Sequence, residues 1–206
     1  MITVTKDISA VQAPLERSHD RQRGLQAMWL LIATEGMLFV LLFFAYFYLG
    51  ASKPQWPLEK DPSYWKALVM LGILLLSSVS AHWAQRSIER GRNGSLLIGL
   101  VITLLLGGAF LYVTYWEYAI RMKTETPWDS AYASITYTIT SFHLAHLLLG
   151  MCMLLFVLAR TLAGHFTESR HVAVKNAVRY WHFVDLIWVF VVAIVYLSPQ
   201  FYGGAT

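Results

Sequence analysis

The chain has 206 residues, of which 57% are hydrophobic and 14% charged, with mean hydropathy +0.51 and a formal net charge of +4. A soluble domain holds about 45–50% apolar and about 25% charged residues, so both a water-soluble globule and a disordered chain are excluded. Cys152 is the only cysteine, which rules out a disulfide framework and a cysteine-based zinc site. A basic balance can serve nucleic acid; in so apolar a chain it sets membrane topology instead, and no nucleic-acid partner is expected.

Residues 1–26 read as a polar N-terminal tail, and residues 27–206 as one membrane domain. A spanning helix needs about 20 mostly apolar residues, so the gaps between charges locate the spans. Glu35 is the only charge between Arg23 and Lys53, which places the first span at 27–49. The charge-free stretches Lys66–Arg86, Arg92–Glu117 and Asp129–Arg160 give spans at 67–86, 95–118 and 132–159. After Arg179 only Asp185 is charged, which gives a fifth span at 179–198. Barrel strands would show about ten residues of apolar–polar alternation, and these leucine-rich runs do not. Helices satisfy their own backbone in lipid. The expected fold is all-α, with five transmembrane helices. Pro54, Pro57 and Pro62 mark the first loop as an extended connection.

Orientation follows from the basic residues. Lys6, Arg17, Arg21 and Arg23 precede the first span; Arg86, Arg90 and Arg92 follow the second; Arg160, Arg170, Lys175 and Arg179 lie between the fourth and fifth. These eleven share one side, and Lys53, Lys60, Lys66, Arg121 and Lys123 take the other. The richer side is cytoplasmic, so the N-terminus is inside and the C-terminus outside. Tyr46 and Tyr48, Trp65, Trp116 and Tyr118, and Tyr180 and Trp181 lie at predicted span ends, where amphipathic rings sit at the membrane surface.

Glu35 lies about 12 Å down its helix at 1.5 Å per residue. An acid there faces the protein interior or a water-filled cavity. It is either a proton-linked polar site or interhelical glue. His143 and His146 are three residues apart and share one face. They could ligate metal or haem, or hydrogen-bond between helices. The spans hold no Glu-x-x-His pair of the di-iron bundle type. His182 and Asp185 repeat the three-residue spacing, which suits an Asp that orients a His and anchors the fifth helix; a lipid headgroup or subunit contact is the alternative. Trp181 and Trp188, seven apart, are read as interface aromatics. Ser77, Ser78, Ser80 and Ala81, and Gly107, Gly108 and Ala109, are small-residue patches for close helix approach. No nucleotide-binding, hydrolase or zinc-protease motif is present.

The nonapeptide Tyr180-Trp181-His182-Phe183-Val184-Asp185-Leu186-Ile187-Trp188 resembles a signature of the subunit III family of haem-copper oxidases. Other segments follow in family order: Glu35-Gly36-Met37-Leu38-Phe39 with Phe43 to Tyr48, Ser77 to Trp83, and Phe142-His143-Leu144-Ala145-His146 with Gly150. His171 precedes His182 by eleven residues, as in the family. The five-helix count resembles the short bacterial form. The chain departs from the family at Leu144 and Ala145, where a Gly usually separates the histidines, and at Lys175, where a Glu is frequent.

The resemblance implies a V-shaped helix bundle and a subunit without redox centres, in the bacterial inner membrane. Haem and copper belong to partner subunits, with oxidase subunit I as the main contact and subunit II beside it. A structural phospholipid occupies the cleft, and the subunit sustains proton uptake in aerobic electron transport. Glu35 becomes the buried acid near the lipid cleft, and His143, His146, His171, His182 and Asp185 become polar contacts; no catalytic, cofactor or metal residue is expected. Cytochrome c is the favoured electron donor. The alternatives are subunit III of a quinol oxidase, an accessory subunit of nitric oxide reductase, an independent haem b protein using His82, His143, His146 or His182, and a proton-coupled transporter built on Glu35.

Overall fold

A computed structural model describes residues 2–51, 56, 64–168 and 170–197, with the backbone alone for residues 2–21 and 64. The described residues form five long helices: α1 (Ile2–Ala51), α2 (Tyr64–Glu89), α3 (Asn93–Arg121), α4 (Ala131–Leu162) and α5 (Val172–Val191). The last helix widens into a π-helical segment over Val192–Leu197. Each carries a stretch long and apolar enough to cross a membrane, at Gln22–Ala51, Trp65–Glu89, Asn93–Arg121, Ala131–Leu162 and Val172–Leu197. The chain is an all-α, multi-pass membrane protein.

The sequence places all five helices, but not all their ends. The helix of α1 begins at Ile2, so the polar tail continues the first span without a break. α5 starts seven residues before Arg179. The proline-rich first loop, Trp56 apart, and residues 198–206 lie outside the described residues.

Short loops join neighbours at the end rich in Lys and Arg. After α2, Gly91 takes a φ of 70°, its N–H reaches Ile88 O at 2.9 Å, and Arg92 N reaches Ser87 O at 2.9 Å. After α4, Gly164 repeats the φ of 70°, and His165 N bonds Arg160 O at 3.1 Å. Both are Schellman caps, in which a left-handed residue turns the chain while satisfying the last carbonyls. At the opposite end Ser130 caps α4 by accepting Ala133 N–H at 3.0 Å.

α2 packs on α3 and α5, α3 on α4, and α4 on α5, while α1 rests on α4 and α5. α5 is the axis: 56% of its apolar window is buried, against 11% for α1. The outward faces of α1 and α3 stay apolar, with Leu30, Phe44, Leu105 and Tyr112 exposed, as a lipid-facing or subunit-facing surface requires.

Small residues set the close approaches. A Cβ on Gly99 would stand 2.7 Å from Ala84 Cβ, so α2 and α3 touch almost backbone to backbone there. A Cβ on Gly107 would stand 2.8 Å from the Trp181 ring, and one on Gly150 3.1 Å from the same ring. Trp181 therefore fills a slot that two glycines open between α3 and α4. Gly108 faces open space, so only half of the expected glycine pair is a packing site.

This slot corrects the expectation for the aromatics. Trp181 and Trp188 are core residues, 0% and 3% exposed, not interface residues, and Tyr180 is equally buried. Because α5 begins at Val172, Trp181 sits nine residues into the helix rather than at its mouth. Tyr46 is also buried, under Trp56 and Tyr132, with ring centroids 5.3 and 6.3 Å away. Tyr48, Trp65 and Trp116 are exposed near helix ends, as a membrane-surface belt requires.

Candidate functional site: polar contacts within the helix bundle

Three groups of polar side chains join helices inside the apolar bundle. The first links α1 to α4. Glu35 Oε2 lies 2.9 Å from His146 Nε2, and His146 Nδ1 lies 2.6 Å from Phe142 O. A carbonyl only accepts, so Nδ1 carries a proton. The Glu35–Nε2 bond then holds one proton, on the carboxyl or on the imidazole. Either way the pair has no net charge, which suits a site within the apolar stretch Gln22–Ala51 of α1; the Glu35 side chain is 31% exposed there, half-buried rather than fully buried as expected. Phe39 closes one side, its ring centroid 5.0 Å from that of His146.

The second group links α2 to α5. His182 Nδ1 lies 2.8 Å from Ser78 Oγ, and the same hydroxyl donates a short bond to Asp185 Oδ2. With its proton on Asp185, Ser78 accepts from His182 Nδ1–H. The Asp therefore orients the His through a serine of another helix rather than directly. Asp185 is 3% exposed. One turn away Trp181 Nε1–H donates to Ser77 Oγ at 2.9 Å, and Ser77 donates on to Leu74 O at 2.7 Å. Ser80 and Thr103 hydroxyls, 2.7 Å apart, tie α2 to α3. The serine patch thus holds α2 by hydrogen bonds as well as by small size. Position alone offered no sign of this; the pairing of α2 with α5 creates it.

The third group is His143 with its ring neighbours. Its ring lies 4.8 Å from Trp188 and 6.0 Å from Phe110, and the residue is 1% exposed. His143 and His146 share α4 yet serve different neighbours, His146 facing α1 and His143 facing α3 and α5.

His171 is buried at the foot of α5, where its carbonyl accepts Lys175 N–H at 3.2 Å. Lys175 itself pairs with Glu89 across α5 and α2, Nζ to Oε1 at 2.8 Å. Here a basic residue on α5 meets an acid on α2. At the far end Lys66 pairs with Glu117 at 2.9 Å, so ion pairs hold α2 at both ends.

The donor set does not fit a haem or metal centre. No three His, Cys, Asp or Glu side chains converge as a metal-binding group among the described residues. His146 has both nitrogens bonded, and His182 Nδ1 is taken by Ser78. The cavity beside His143 is about 30 Å³, far too small for a porphyrin. His82 is exposed, its ring 6.1 Å from that of His182.

A family model described as cytochrome c oxidase subunit III matches residues 1–200. The chain belongs to the cytochrome c oxidase subunit III family. It is 35% identical over 185 residues to cytochrome c oxidase subunit 3 of Drosophila yakuba, covering 86% of this chain and 68% of the relative. It is 33% identical over 195 residues to that of Mammuthus primigenius, covering 89% and 71%. The Emericella nidulans protein of the same name is 33% identical over 191 residues, covering 88% and 69%. The chain is thus a subunit III of a terminal oxidase complex in the respiratory chain. The polar contacts above are the interior of such a subunit.

Proposed function

We propose that this chain is a subunit III without redox centres, packed on the haem- and copper-bearing subunit I of a bacterial cytochrome c oxidase, with subunit II beside it. The observation that carries this reading is the commitment of its intramembrane histidines: Glu35 and Phe142 O hold His146, Ser78 holds His182, and aromatic rings enclose His143. His146 and His182 brace helices, His143 is packed among rings, and among the described residues no three ligand-type side chains converge. The family's redox chemistry then belongs to partner subunits, and this chain supplies scaffold.

Two further features support the rest of the reading. The eleven basic residues in the N-terminal part of α1 and around the α2–α3 and α4–α5 connections favour a cytoplasmic position for that end of the bundle, in a bacterial inner membrane. A groove of about 410 Å³ between α1, α4 and α5, lined by Met28, Met153, Phe156 and Ala173, suits the acyl chain of a structural phospholipid. Asn176 stands at the groove with its amide donating to Gly24 O at 3.0 Å. Glu35 contributes by holding α1 against α4, which keeps the groove's walls in place and supports proton uptake by the complex.

The test is purification of the tagged chain from native membranes in mild detergent, followed by mass spectrometry of proteins and lipids. Co-purification of oxidase subunits I and II with phospholipid is the expected result. Co-purification of a quinol oxidase or a nitric oxide reductase would reassign the complex.

A further inference from the structure

We infer that the bundle holds a built internal water site between His143 and Trp188, on the side of His143 that faces the α3 C-terminus. Four observations carry this. Both ring nitrogens of His143 and the indole Nε1 of Trp188 are buried without a hydrogen-bond partner in the protein. A neutral imidazole carries one donor and one acceptor, and an indole one donor. These groups share one place: the rings stand 4.8 Å apart and both line the same small cavity. The cavity measures about 30 Å³. A water needs about 10–15 Å³ of such space and two to four polar partners, so one or two molecules fit.

The remaining wall supplies more partners. Thr140 Oγ1 donates to Thr136 O at 2.8 Å and meets Tyr118 OH at 2.5 Å. With the threonine proton spent on the carbonyl, Tyr118 donates to Thr140, and its oxygen lone pairs remain for a water hydrogen. One water can meet three of these groups: Trp188 Nε1–H gives to the water oxygen, and the water gives its hydrogens to the bare nitrogen of His143 and to Tyr118 OH; the His143 N–H is left for the second molecule that the cavity has room for. Polar atoms of this kind in an apolar bundle are either paired or costly. Cavities lined only by carbon stay dry, whereas the residues lining this one include a histidine, a tryptophan and four hydroxyl-bearing side chains.

The site is separate from the Glu35–His146 pair, in which His146 meets α1 rather than α3 and α5, and it does not depend on which enzyme the chain serves. It gives a partner to a His143 ring nitrogen that bonds no protein group among the described residues, and it makes the water part of the packing between α3, α4 and α5.

The test is a cryo-electron microscopy map of the chain in the membrane complex it co-purifies with, at a resolution that shows ordered water elsewhere in the same map. The expected result is a water peak within hydrogen-bond distance, about 2.7–3.2 Å, of Trp188 Nε1 and of a His143 ring nitrogen. The same peak is lost in His143→Leu. Ordered His143 and Trp188 side chains with no peak between them would overturn the inference. So would a peak that persists at full strength in His143→Leu, since the water would then not be held by the histidine. If that variant fails to assemble, the native map decides alone.

Discussion

Glu35 and His146 meet at 2.9 Å across α1 and α4, and the second nitrogen of His146 is pinned by the Phe142 carbonyl at 2.6 Å. That pinning fixes the number of protons in the contact at one. Glu35→Gln keeps a donor for the bare Nε2, so the complex is expected to assemble with normal yield. Glu35→Leu leaves His146 without its partner and is expected to cost about 1–3 kcal/mol, the usual penalty for stranding a buried polar group. Thermal melting of the purified complex distinguishes the two. Equal losses in both variants would count against a single shared proton.

Ser78 joins His182 to Asp185, so the three side chains act as one unit. Ser78→Ala and Asp185→Ala are each expected to lower the stability of this chain in its complex by about 1–3 kcal/mol. The double variant is expected to lose little more than either single one, because residues in one network are not additive. Retention of this chain on the complex during detergent challenge reads the effect. Strict additivity would show that the three groups act independently.

Gly107 and Gly108 are adjacent in α3 but have different surroundings. A Cβ at Gly107 meets the Trp181 ring at 2.8 Å, whereas one at Gly108 meets nothing within 4 Å. Gly107→Ala is expected to destabilise the fold by about 1–3 kcal/mol through overpacking. Gly108→Ala is expected to be neutral or slightly stabilising, since Ala suits a helix better than Gly by up to about 1 kcal/mol. A differential scan of the two complexes measures both. A reversed order would mean that Trp181 does not occupy the slot.

Lys175 and Glu89 form an ion pair at 2.8 Å near the basic end of the bundle, partly open to solvent. Lys175→Glu sets two acids against each other and is expected to lower stability by roughly 0.2–1 kcal/mol, more at low salt. Combining it with Glu89→Lys restores the pair and is expected to recover most of the loss. Failure of the double exchange to recover stability would assign Lys175 a different partner.

The helices were legible because lipid imposes a simple demand: a long stretch without charge. Gaps between charges located all five spans, and the family signature lay within α5. The ends of α1 and α5 were less legible, because a helix continues past the hydrocarbon where polar residues also accept helical geometry, as at residues 2–26 and 172–178. The interior contacts were partly legible. Glu35 and His146 stood out as polar groups in apolar runs, but their pairing depends on α1 meeting α4. Ser78 did not stand out, since serine is common among small packing residues, and only the approach of α5 makes it the link between His182 and Asp185. Trp181 was misplaced for a related reason: an aromatic near a run's first charge resembles a surface belt, and the glycines that open its slot lie 31 and 74 residues away in sequence.

The most direct test of the central claim is the visible spectrum of the complex and of this chain stripped from it. All haem absorbance and copper are expected to stay with the partner subunits, leaving the isolated chain colourless. Haem that remains bound to the isolated chain, and is lost on replacing His143 or His182, would contradict a purely structural role for its histidines.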